Sequence, residues 1–203
     1  MFKYLIAIIE IIKNYKFFSF FFLFYELIYF LKFRNNNNKF KYLNSKYLSD
    51  SIPVSFYLLK LINRFIIENN IKNICDLGSG FGKILFYLGK IKKLNIDGYE
   101  YDKEIFNYSL RLKNNNINIF NKDILKLDYK NLDYELYIIN DPLKKSADLK
   151  KLFLLLSLNK KKKYYILINF SEKKQVLFRY LNFDIISKKI FSKNRNIFFA
   201  SDK

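Results

Sequence analysis

The residues of this chain best suited to chemistry stand in one short run, Asp76-Leu77-Gly78-Ser79-Gly80-Phe81-Gly82, followed by Glu100, Asp123 and Asn140-Asp141-Pro142. Successive glycines let a backbone turn tightly and approach a ligand closely. A helix opened by such a turn offers unsatisfied N–H groups and a positive dipole end. The spacing is GxGxG at Gly78, Gly80 and Gly82, with Lys83 where a dinucleotide fingerprint wants glycine. A Walker-type phosphate loop is excluded, because no Gly-Lys-Ser or Gly-Lys-Thr follows.

Glu100, in Gly98-Tyr99-Glu100-Tyr101-Asp102, can accept both hydroxyls of an adenosine ribose bidentately, and Tyr101 beside it would flank the adenine. Asp102 reads as the N-cap of the next helix and not as a ligand. Asp123 is either a ligand-holding acid or an ordinary strand-end or capping aspartate. Asn140-Asp141-Pro142 could set an amide or carboxylate oxygen against a substrate, and is equally a turn, since Asp-Pro after a strand is common loop chemistry. Cys75 reads as a small buried apolar side chain.

Composition narrows the chemistry. There is no histidine and one cysteine, so an intramolecular disulfide is impossible and no structural zinc or other metal site is expected. A reducing, cytoplasmic compartment is expected. Any general base near neutral pH must be a carboxylate, a lysine, a tyrosine or water. A formal charge of +19 points to nucleic acid or an anionic membrane surface. Against that, the chain is rich in Lys, Asn, Ile, Phe and Tyr, residues with A/T-rich codons, and its lysines are spread along every segment. Nucleic-acid readers more often concentrate arginine for bidentate contacts. Lys160 to Lys163 reads first as a solvated turn.

The elements that must position these residues follow from hydrophobic pattern. A chain of 203 residues fits one domain plus an appendage. Residues 1–50 read as an apolar helical extension, Tyr4 to Ile12 and Phe17 to Leu31, closed by a polar linker at Asn35 to Asn38. The second stretch falls short of the roughly 20 apolar residues of a spanning helix and contains Glu26. Packing on the domain, or lying in a membrane interface with Lys13, Lys16, Lys32 and Arg34 near headgroups, is favoured over spanning. No small-residue cleavage site suggests a signal peptide.

Residues 51–203 alternate strand and helix, which predicts a parallel sheet with helices on both faces. The first helix begins near Pro53, with Ser51 as a possible cap, and runs to about Glu68. Strands are expected at Ile71 to Asp76, Leu94 to Glu100, Ile117 to Lys122, Leu136 to Asn140 and Tyr164 to Asn169. The intervening helices run from the glycine turn to about Lys90, from Asp102 to Lys113 and from Ser146 to Leu158. Phe183 to Ser187 and Ile197 to Ala200 are joined by a polar turn and predict a closing hairpin.

An α/β, Rossmann-like, mostly parallel seven-stranded sheet ending in an antiparallel β-hairpin, with an acid and GxGxG after its first strand, resembles the class I S-adenosylmethionine-dependent methyltransferases. The resemblance implies S-adenosylmethionine as cofactor. It assigns Asp76 to the cofactor's amino group, directly or through water, Gly78, Ser79, Gly80 and Gly82 to cofactor binding, Glu100 and Tyr101 to its ribose and adenine, Asp123 to the adenine amino group and Ile124 to the ring face. It places Asn140, Asp141 and Pro142 where such enzymes face the methyl acceptor. Amine-methylating members show Asn/Asp-Pro-Pro-Tyr/Phe there; this chain lacks one proline and the aromatic. The apolar N-terminus, Ser51-Ile52-Pro53 and the turn from Asp76 to Lys83 are also similar to small membrane-associated protein-lysine methyltransferases of the ATP synthase c-subunit type. Those relatives carry Pro-Thr where this chain has Pro53-Val54.

Three functions are therefore open at this level. The first is a methyltransferase acting on a protein, small molecule or RNA, with a lean to a protein lysine amine. The second is a non-catalytic binding or membrane-docked interaction module on the same fold, peripheral to the membrane through residues 1–33. The third is an RNA methyltransferase, whose binding would weaken steeply with salt.

Overall fold

The computed structural model describes residues 54–91, 93–159, 161, 163–192 and 195–202, with isolated helical positions at Ile9, Ile12, Phe20, Leu23, Phe24 and Leu27. Apart from those six positions, the two expected N-terminal helices, their lysines and the Asn35 to Asn38 linker lie outside the described residues. So do Ser51 to Pro53, Lys160 and Lys162. Leu23 packs against the domain core, while Ile9, Ile12, Phe20, Phe24 and Leu27 are exposed. Among the described residues no helix is long and apolar enough to cross a membrane.

Seven strands form one sheet: β1 (Asn73–Leu77), β2 (Asn95–Glu100), β3 (Ile117–Asn121), β4 (Leu136–Ile139), β5 (Tyr164–Ile168), β6 (Phe183–Ser192) and β7 (Arg195–Asp202). Their order is β3-β2-β1-β4-β5-β7-β6. The first five are parallel, and β7 inserts antiparallel between β5 and β6. This is the Rossmann-like architecture with a C-terminal antiparallel hairpin that the alternation predicts.

Strand alternation sorts side chains to two cores. On one face Ile74, Ile96, Ile138, Ile166, Ile168, Ile197 and Phe199 meet α1 (Phe56–Glu68) and α2 (Lys83–Leu88). On the other Cys75, Leu77, Tyr137, Ile139, Tyr165, Leu167, Phe198 and Ala200 meet α4 (Ser146–Leu156). α1 buries Leu58, Leu59, Ile62, Phe65 and Ile66, a helical stripe, and its cap is Ser55, whose side chain accepts from the Leu58 N–H at 3.4 Å. The helix thus starts after Ser55, not at the expected Pro53 with Ser51 as cap.

α3 (Lys103–Ser109) is capped as expected by Asp102, which accepts from the Glu104 and Ile105 N–H groups. A further helical segment was not foreseen: α5 (Glu172–Gln175) continuing into a 3-10 turn over Val176–Leu181, which brings Phe178 and Leu181 onto the second core. The hairpin strands also run longer than the sequence pattern, because a register shift between Ile185 and Ser187 interrupts the alternation on β6 without ending the strand.

Candidate functional site

The strand order reverses between β1 and β4, and in sheets of this kind ligands bind in the crevice at the carboxyl ends of the strands beside such a reversal. Asp76 lies one residue before the end of β1, in register with Gly98 on β2 and Ile138 on β4. The chain then enters a turn in which Gly78, Gly80 and Gly82 all take positive φ, at 82°, 54° and 75°. Only glycine adopts three such angles in five residues without strain. Gly78 is also required by space, since a Cβ there would stand 2.6 Å from Pro142 Cβ. The turn is therefore fitted directly against the end of β4.

The turn is pinned from β2. The N–H groups of Gly78 and Ser79 both donate to the Tyr99 carbonyl at 3.0 Å. The Gly80 N–H donates to Glu100 Oε2 at 2.8 Å, and the Asp102 N–H donates to Glu100 Oε1 at 2.8 Å. Glu100 is 7% exposed, and burial, with the Asp102 charge, raises its pKa against the lowering effect of the backbone N–H groups of Asp102, Gly80 and Tyr101. A carboxylate has about four lone-pair sites, more than these backbone donors use, and a carboxylate matches a vicinal diol.

Asp76 is the opposite case. It is 1% exposed, and neither carboxyl oxygen has a hydrogen-bond partner among the described residues. Burial, with Glu100 nearby adding to it, pushes its pKa up to about 8. A buried carboxyl with nothing to bind is costly unless a donor or cation arrives. The Ser79 hydroxyl, packed close to the position a Gly98 Cβ would take, is likewise buried without a partner.

The other predicted residues are placed less uniformly. Tyr101 is 57% exposed beyond the end of β2. Asp123 caps a 3-10 turn over Ile124–Lys126, accepting from the Leu125 N–H at 2.9 Å, and its Oδ2 stands 4.0 Å from Lys126 Nζ. Ile124 is buried in the second core, and its carbonyl accepts from the Tyr129 hydroxyl. The three residues expected to face an acceptor separate. Pro142 lies on Gly78. Asp141 is taken up by Lys174, whose Nζ donates to both carboxylate oxygens at 2.6 and 2.9 Å and to the Leu143 carbonyl at 2.7 Å. Asn140 accepts through Oδ1 from Asn169 Nδ2 at 2.8 Å. Lys174 and Asn169 escaped the sequence reading. Cys75 is buried, and burial raises its thiol pKa well above the ordinary range. Among the described residues no group of histidine, cysteine, aspartate and glutamate could hold a metal ion.

No protein-family model matches the chain, and no curated protein matches it by sequence. Solved structures match it well in fold. Magnesium protoporphyrin IX methyltransferase from Synechocystis, with bound S-adenosylmethionine, superposes with a TM-score of 0.58 at 13% identity over 72% of this chain and 79% of that one. A S-adenosylmethionine-dependent methyltransferase from Clostridium acetobutylicum gives 0.57 at 14% identity over 85% and 98%. An amino pentose methyltransferase of calicheamicin biosynthesis from Micromonospora echinaspora gives 0.59 at 9% identity over 73% and 91%. The chain has the fold of the class I S-adenosylmethionine-dependent methyltransferases.

Proposed function

We propose that this chain binds S-adenosylmethionine at the β1–β4 crevice and transfers its methyl group to a nucleophilic acceptor. The observation that carries the reading is the buried, partnerless carboxyl of Asp76 beside a turn of three left-handed glycines whose outer side is held by Glu100. Asp76 fits the ammonium of the cofactor's amino acid end, and the remaining lone pairs of Glu100 fit its ribose hydroxyls. Bound there, the cofactor supplies an already activated sulfonium methyl group. The protein then has to orient the acceptor, exclude water and let one proton leave. No general base of high power is required for an amine that loses its proton to water. The acceptor in this reading is a nitrogen, a protein lysine amine first, on the strength of the sequence resemblance of the N-terminus and glycine turn.

Isothermal titration of the purified chain with S-adenosylmethionine tests the first half. Saturable binding is expected, lost in Gly80→Arg and in Glu100→Ala; absence of binding by the unaltered chain refutes the proposal. Labelled cofactor incubated with fractionated lysate tests the second half. Label entering protein as N-methyl-lysine supports the acceptor, label in RNA, lipid or small molecules replaces it, and binding without transfer favours a non-catalytic module.

A further inference from the structure

The carboxyl ends of β4 and β5 hold a second buried group with an open hydrogen-bonding position. Asn169 follows β5 with φ at 61°, a left-handed conformation that asparagine tolerates better than most residues. Three bonds to Asn196 on β7 fix the chain at this point. The Asn169 N–H donates to the Asn196 carbonyl at 2.9 Å, and the Asn196 side chain brackets Phe170, accepting from its N–H and donating to its carbonyl. The Asn169 backbone is thus held independently of its side chain. It is 2% exposed; Nδ2 donates to Asn140 Oδ1, and Oδ1 has no partner among the described residues.

Asn140 ties this group to the proposed methyl-transfer site. Ile138 is the register partner of Asp76, and Asn140 is the first residue past the end of β4, two residues beyond that partner. Pro142, two residues further again, touches the glycine turn. The neighbouring carboxylate, Asp141, is already satisfied by Lys174 and offers little to an incoming group. Among the described residues, the Asn169 amide oxygen is the buried acceptor left without a partner beside Asn140.

We propose that the Asn140–Asn169 amide pair is the acceptor-binding element of the site, with Asn169 Oδ1 accepting a hydrogen bond from the nitrogen to be methylated. This rests on the methyltransferase reading above and extends it to a residue outside the Asn140-Asp141-Pro142 segment. An amide oxygen selects an N–H-bearing nucleophile and, being uncharged, does not hold an amine in its protonated, unreactive form as strongly as a carboxylate would. The acceptor nitrogen's lone pair forms the new N–C bond as the C–S bond breaks and its electron pair returns to sulfur. The proton released from nitrogen goes to water.

The test uses two cofactor analogues. Sinefungin carries an amine-bearing carbon in place of the methylsulfonium, and S-adenosylhomocysteine has neither amine nor methyl there. In titrations of the full chain, Asn169→Gly, which suits the positive φ and removes the amide, is expected to weaken sinefungin about tenfold while S-adenosylhomocysteine stays within about twofold. Asn169→Asp, which keeps the oxygen, is expected to restore sinefungin binding. An unchanged ratio of the two affinities in Asn169→Gly overturns the proposal. Failure of the unaltered chain to bind either analogue instead refutes the cofactor reading. Side-chain amide NMR of the unaltered chain gives an independent measure: sinefungin must shift the Asn169 amide pair more than S-adenosylhomocysteine does, and equal shifts overturn the assignment.

Discussion

Asp76 and Asp141 stand at the ends of adjacent parallel strands, both buried, and they differ in one respect: Asp141 has Lys174 and Asp76 has nothing. A buried ion pair with three good bonds to the ammonium completes itself within the fold. A buried carboxyl left open is destabilising to the unliganded chain, and a cation from outside would complete it. Two neighbouring positions thus hold an acid completed within the fold and, under the proposed function, an acid offered to a ligand. Removing each acid's function should therefore give opposite results. Asp76→Asn should lower S-adenosylmethionine affinity by about a hundredfold, a charged hydrogen bond lost in a buried setting, while leaving thermal stability unchanged or higher. Lys174→Met should leave the Asp141 carboxylate buried and alone, costing about 2–4 kcal/mol in chemical denaturation with only a small change in affinity. Loss of stability in Asp76→Asn together with retained affinity would reverse the two roles.

Proton uptake sharpens the same contrast. In the unliganded chain Asp76 holds its proton to about pH 8, against an ordinary carboxyl value of 3.8. Between those values the folded state binds more protons than the unfolded state, so this group makes stability fall as pH rises, levelling above pH 8. Under the proposed function, the cofactor's ammonium beside Asp76 would favour the ionised carboxylate. Affinity should therefore rise by up to about tenfold per pH unit below 8 and then level, with about one proton released per cofactor bound. Titration calorimetry in buffers of different ionisation enthalpy measures that release. Asp76→Asn should abolish both the slope in stability and the proton release, and a slope that survives the substitution would locate the titration elsewhere.

What the sequence made legible divides along the same line between local and distant chemistry. The sheet was readable because β1, β4 and β5 are short apolar runs bounded by turn residues, and β4 is buried on both faces. The glycine turn was readable because φ above zero three times in five residues demands glycine itself. The Asp141–Lys174 pair was not readable. Lys174 lies in Ser171-Glu172-Lys173-Lys174-Gln175, a polar run indistinguishable from a solvated loop, and its partner stands 33 residues away. Asn169 was hidden in the same way: it read as the last residue of the fifth strand, and nothing local showed its amide buried against Asn140. Ile124, which the resemblance assigned to the adenine ring face, is buried in the second core.

Asp102 and Asp123 offer the finest version of the comparison, because both do the same structural task. Each accepts from one or two N–H groups at the start of a helical turn. Replacing either by alanine should cost about 1 kcal/mol of stability, the ordinary worth of a side-chain cap. The two should part in binding. Asp102 has Oδ1 bonded twice within its own helix and was read only as a cap. Asp123 uses Oδ1 for its cap and leaves Oδ2 with a single long contact to an exposed lysine, so that oxygen is available to an adenine amino group. Asp123→Ala should lower S-adenosylmethionine affinity several-fold beyond any change in Asp102→Ala. Equal affinities in the two variants would reduce Asp123 to a cap and confine the cofactor's polar anchors to Asp76, Glu100 and the glycine turn.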